Sequence, residues 1–130
     1  ATFVGANNVF RGKVTSLDGD MAVVETKYGA LRAKNPQNQA IGNKVVLFVR
    51  PEKMQVLSAV DGEENAIAVE FERRDLEGPF VNLFFRREDD VYSAHLVNAG
   101  DVAHDPSGHK GLCFAPEVGM ILPVGDIADE

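Results

Sequence analysis

The sequence is poor in the residues that would make its function easy to read. It has one cysteine and no tryptophan. With Cys113 alone no intrachain disulfide can form, which excludes a disulfide-stapled secreted scaffold. No stretch approaches the roughly 20 consecutive apolar residues of a membrane-spanning helix. Positive charge is scarce: 13 Lys and Arg stand against 20 Asp and Glu, a net charge of −7. Residues 1–65 hold 8 basic and 7 acidic side chains, residues 66–130 only 5 against 13. A phosphate-backbone binder gains affinity by displacing counterions with Lys and Arg, so nucleic acid and anionic lipid are disfavoured as partners.

Recognisable catalytic motifs are missing too. Gly5 to Val14 resembles a phosphate loop only faintly: the glycine spacing is wrong, and Val14 stands where Ser or Thr would reach magnesium. No dinucleotide-binding glycine fingerprint and no nucleophile elbow occurs. His104, Asp105 and His109, with Asp101 upstream, bring imidazole and carboxylate into one loop, but a metal centre needs three or four converging ligands with outer support. That loop reads as solvated, and His95 as a strand residue. Cys113 lies in an apolar run and reads as a small buried hydrophobe. The acidic clusters Asp61/Glu63/Glu64, Glu88/Asp89/Asp90 and Asp126/Asp129/Glu130 lack calcium-loop spacing and read as turn tips and a tail. No catalytic residue, metal ligand or cofactor is expected.

What the sequence does have is punctuation. Twelve glycines and six prolines divide it into short apolar runs. Phe10 and Val14 share a face of one run, and Asp18-Gly19-Asp20 has turn composition. Met21 to Thr26 is rich in β-branched residues, Ala30 to Lys34 alternates, and Lys44 to Val49 is the most apolar strand candidate, ended by Pro51. Asp61-Gly62-Glu63-Glu64 is a polar break near the midpoint. Beyond it Ile67, Val69 and Phe71 alternate with polar residues, Phe80 to Phe85 and Val91 to Val97 form a hairpin with Glu88-Asp89-Asp90 at its tip, and Lys110 to Phe114 and Met120 to Val124 end the series. Strands at roughly 8–12-residue spacing predict an all-β barrel or sandwich. Arg73-Arg74 and Arg86-Arg87 flank Phe80, Phe84 and Phe85. Such a grouping can form a stacking platform for single strands, but the surrounding carboxylates cancel its field, and a salt-bridged hairpin with a packed inner face is expected.

One internal echo stands out. Gly42 to Glu52, running on to Val56-Leu57, and Gly108 to Glu117, running on to Ile121-Leu122, both read Gly-x-Lys, strand, Phe, Pro-Glu, apolar pair. A duplicated small β-unit produces this pattern. The fold expected is therefore all-β, with two OB-like small barrels formed by successive halves of the chain, 1–62 and 63–130, sharing a core.

The stretch Phe3 to Val14, with Phe-x-Gly-x-x-Asn, and the stretch Val46 to Lys53, with Arg50-Pro51-Glu52, resemble the transport-associated OB (TOBE) domain. That domain is the C-terminal regulatory region of ATP-binding subunits of ABC importers. The resemblance is strong through residue 57 and looser beyond. The acidic second half and the Ile121-Leu122-Pro123 ending are similar to the spermidine/putrescine type, while Gly78-Pro79 and Ala115-Pro116-Glu117 depart from the usual pattern. The resemblance implies a non-catalytic regulatory and dimerisation role in polyamine import. ATP hydrolysis would reside in an upstream domain of the same parent chain. The implied partners are that ATPase domain, a second ATP-binding subunit in a homodimer and, indirectly, the membrane subunits. The implied location is cytoplasmic, peripheral to the inner membrane. Arg50, Pro51 and Glu52 are the expected structural or interface residues, anchoring a turn and orienting the two halves. A small-molecule- or oxyanion-binding TOBE module is the alternative, and a nucleic-acid-binding OB-fold a weaker one.

Overall fold

A computed structural model describes residues 7–60, 62–100, 103 and 105–124. Eleven strands are found among them. They are β1 (Asn8–Asp18), β2 (Met21–Thr26), β3 (Gly29–Lys34), β4 (Lys44–Val49), β5 (Gln55–Leu57) and β6 (Ala66–Ala68). The rest are β7 (Glu70–Glu77), β8 (Phe80–Arg87), β9 (Asp90–Val97), β10 (Gly111–Cys113) and β11 (Met120–Pro123). The all-β expectation holds.

The chain forms two compact units, residues 1–49 with 115–130 and residues 50–114. The first is a closed five-stranded barrel in the order β1-β2-β3-β11-β4. β1 closes it by pairing antiparallel with β4, from Asn8 opposite Val49 to Lys13 opposite Lys44. β11 lies parallel to β3 at Met120 and Lys34, and antiparallel to β4 from Met120–Phe48 to Pro123–Val45. This is the strand order of an OB-type barrel. Alternation makes it: Phe10 and Val14 of β1, Val24 of β2, Leu31 and Ala33 of β3, Leu47 of β4 and Ile121 of β11 are all buried. Each large aliphatic side chain so buried contributes about 1.5–3 kcal/mol. A bulge between Val14 and Ser16 bends β1, which lets one long strand serve two neighbours. Gly12 is required on this strand, because a Cβ there would collide with the Glu25 carbonyl oxygen and the Val24 side chain.

The second unit holds two three-stranded sheets, β5-β10-β6 and β7-β8-β9. β6 runs into β7 with only Val69 between them. Phe85, Leu83, Val81, Tyr92 and Ala94 face inward from the meander, joined by Ile67, Leu112 and Phe114. Phe71 meets Phe85 edge to face, with centroids 5.8 Å apart. β10 pairs antiparallel with β5 on one side and with β6 on the other.

The division into successive halves at residue 62 is not the one the contacts make. Gly62 lies inside the second unit, on the connection between β5 and β6, and that unit begins at Arg50. The chain instead exchanges short closing strands. β5 follows β4 in sequence but pairs with β10, and β11 follows β10 but pairs with β4. A polar break such as Asp61 to Glu64 reports a loop. It does not report which sheet the next strand joins.

Candidate functional site

The sequence echo is also a structural one. β4 is followed by a three-residue 3-10 turn, Pro51–Lys53, and β10 by another, Pro116–Val118. The residues before them have nearly the same backbone, Arg50 at φ −70, ψ 145 and Ala115 at φ −67, ψ 139. In both the N–H after the turn donates to the proline carbonyl: Met54 to Pro51 at 3.2 Å and Gly119 to Pro116 at 3.4 Å. Proline suits the first position because it needs no donor there and its φ is already fixed. Each turn is the point at which the chain leaves one sheet and enters the other.

Arg50, Pro51 and Glu52 are brought together by this turn. A guanidinium nitrogen of Arg50 lies 3.9 Å from Glu52 Oε2, with the two side chains 73% and 49% exposed. An ion pair this long and this wet contributes little. What defines the turn is Pro51, together with the backbone hydrogen bonds of Lys53 and Met54.

The first barrel carries a feature that the sequence reading missed. Arg11, Lys13, Lys27 and Lys44, with Glu25, surround a groove of about 710 Å³ that also touches Gly12, Val45 and Val124. Lys13 lies directly opposite Lys44 across the β1–β4 pair and opposite Glu25 across the β1–β2 pair. The signal was present as a run of alternating Arg11 and Lys13. Only the strand register shows that Lys44 joins them.

On the second unit the aromatic and basic residues satisfy one another. Arg73 sits over the Phe84 ring at 4.1 Å, and His95 stacks on Phe80 with centroids 4.8 Å apart. His95 Nδ1 is 2.7 Å from Asn82 Oδ1, and Asn82 donates to Glu77 at 2.6 Å. Arg86 donates to Glu72 at 2.5 Å, which holds its guanidinium protonated above the ordinary range, and Asp89 adds to the effect. Phe85 points inward and is fully buried. The expected salt-bridged hairpin with a packed inner face is what forms. Beside it Ala68, Val69, Glu70, Arg86, Arg87, Glu88 and Lys110 line an open hollow of about 580 Å³.

Cys113 is buried, with its Sγ 3.7 Å from Gln55 Oε1. Burial, and secondarily the charge of Glu63, push its thiol pKa up, which is unfavourable for a nucleophile. His109 is partly buried at the end of the Pro106–Gly108 turn, while Asp101 and His104 lie outside the described residues. Among the described residues no group of three His, Cys, Asp or Glu side chains could hold a metal ion. No helix among them is long and apolar enough to cross a membrane.

No protein-family model matches the chain. Over 74 residues it is 39% identical to the spermidine/putrescine import ATP-binding protein PotA of Rubrobacter xylanophilus. That match takes in 54% of this chain and 19% of the relative, so the chain spans about a fifth of the relative's length. Among solved structures it resembles the cytoplasmic molybdate-binding protein ModG, crystallised with molybdate bound. The TM-score is 0.76 at 14% identity, over 92% of this chain and 98% of that one. At that identity the likeness establishes the fold. The fold match thus establishes an OB-type architecture, and the sequence match shows a partial likeness to an import ATP-binding protein. The candidate features are then the Pro-Glu turns, where the chain crosses between sheets, and the cationic groove on the first barrel.

Proposed function

We propose that this chain is a non-catalytic TOBE-type regulatory domain of an ABC importer's ATP-binding subunit, serving polyamine import in the cytoplasm at the inner membrane. ATP hydrolysis would belong to another domain of the parent protein, and two such subunits would pair. The observation that carries this reading is the 39% identity to PotA over 74 residues. A rigid β-scaffold suits the role, because a regulatory module must offer fixed loops and edges to partners. Pro51 would anchor the turn, and the exposed Arg50 and Glu52 beside it would serve as interface residues. The test is to remove this domain from the parent ATP-binding subunit and measure ATP hydrolysis beside spermidine uptake. Retained hydrolysis with impaired or unregulated uptake supports the reading. Loss of all nucleotide binding, or unchanged uptake and regulation, contradicts it.

A second reading, an oxyanion-binding module, is favoured by the likeness to ModG, which binds molybdate. Calorimetry of the chain with molybdate, sulfate and spermidine separates the two. Saturable heat with an oxyanion favours the second reading.

A further inference from the structure

We infer that the cationic groove on the first barrel is a binding site for a small organic polyanion, one bearing several phosphate or carboxylate groups on an apolar body. It is independent of the role proposed above and stands on the barrel alone.

Lys13 and Lys44 are directly opposite each other on β1 and β4, and like charges so placed repel. Arg11 precedes Lys13 by two positions along the same face of β1. Among the described residues none of the three takes part in an ion pair. Among the described residues Glu25 is the one carboxylate lining the groove. Three cations therefore project from paired strands of a closed barrel, already positioned, and among the described residues only Glu25 stands against their charge. An anion bridging the two lysines turns that repulsion into charge-assisted hydrogen bonds.

The rest of the groove selects for size and body. Val124, half-buried, lines it beside the cations, and the lysine stems are themselves apolar, which gives an organic moiety an apolar surface; Val45 lies fully buried beneath. Its volume of about 710 Å³ lies within the range of small-molecule sites. Long polyanions are disfavoured because the whole chain is acidic, at −7. A compact ligand meets only the local positive field, whereas nucleic acid would also meet the carboxylates elsewhere.

Calorimetric titration of the 130-residue chain with ATP and, separately, with citrate tests this at low ionic strength. At least one of them should bind with a dissociation constant below about 1 mM. Affinity should fall about tenfold or more in Lys13→Gln/Lys44→Gln, as expected for losing charge-assisted hydrogen bonds, and should stay unchanged in Lys34→Gln on the same barrel. Binding of ATP alone assigns phosphate chemistry, of citrate alone carboxylate chemistry, and of both a general polyanion site. Amide shifts on titration should centre on Gly12, Lys13, Lys44 and Val45, a readout that does not depend on the variants. Absence of binding by both anions, undiminished binding in the double variant, or shifts confined to other residues overturns the inference.

Discussion

Ile121, near one end of the sequence, lies opposite Leu47 in the antiparallel pair of β4 and β11, and both side chains are fully buried. The first barrel is thus closed by a strand that the chain supplies only after it has built the second unit. Ile121→Ala should cost about 2–5 kcal/mol, the range for a large-to-small change in a packed core. Urea denaturation followed by tryptophan-independent probes, such as far-UV circular dichroism, measures it. A cost below about 0.5 kcal/mol would be that of a surface site and would mean that β11 is not part of the core.

Much of this was legible in the sequence, for a physical reason. Side-chain alternation is a local property, so Phe10/Val14, Ala30 to Lys34 and Ile67/Val69/Phe71 announced strands, and Gly19 and Gly78 announced turns with positive φ. The Pro-Glu echo announced a repeated unit, and what repeats in the structure is the 3-10 turn after β4 and after β10. Partner choice is not local. Val56-Leu57 and Ile121-Leu122 look like the ends of their own repeats, yet each pairs with the strand that opens the other repeat's echo, β10 and β4, because pairing depends on which edge is open in space. The cationic groove stayed hidden for the same reason: Lys44 meets Lys13 only through register.

Gly12 offers a second test. A methyl group there would press on the Glu25 carbonyl and the Val24 side chain, and backbone cannot yield as a flexible side chain can. Gly12→Ala should destabilise by about 1–3 kcal/mol, the usual cost of overpacking. Gly19→Ala, in a turn with open space but φ +63, should cost about 1 kcal/mol from backbone strain alone. Thermal melts of the two variants compare crowding with strain. Equal stability of Gly12→Ala and the parent would refute the close approach of β1 and β2.

Cys113 predicts a pH response of definite sign. Its pKa is raised in the folded chain by burial and by Glu63, so the unfolded thiol, with a pKa of about 8.5, loses its proton first. The stabilisation is complete below that value and is lost as pH rises above it towards the folded pKa. Stability should therefore fall more steeply above about pH 8.5 in the parent than in Cys113→Ala. At pH 8, a thiol reagent should label the native chain slowly and the urea-unfolded chain at once. Fast labelling of the native chain would contradict the burial.

The Lys13–Lys44 opposition makes a prediction about stability as well as binding. Without a bound anion, Lys44→Gln should stabilise the chain by about 0.2–1 kcal/mol. The gain should shrink as salt is raised to about 1 M, where the screening length is near 3 Å. Denaturation midpoints at two salt concentrations give the answer. A loss of stability on substitution would show that Lys44 is already paired.

The exchange of closing strands is best tested by making the first barrel from the segments the structure assigns to it. Residues 115–124 joined by a short flexible linker to residues 7–49 should give a polypeptide with a dispersed amide spectrum and a cooperative thermal transition, whereas residues 1–62 should not, because β11 is missing from them. A cooperatively folded 1–62 fragment, with 115–124/7–49 disordered, would contradict the account.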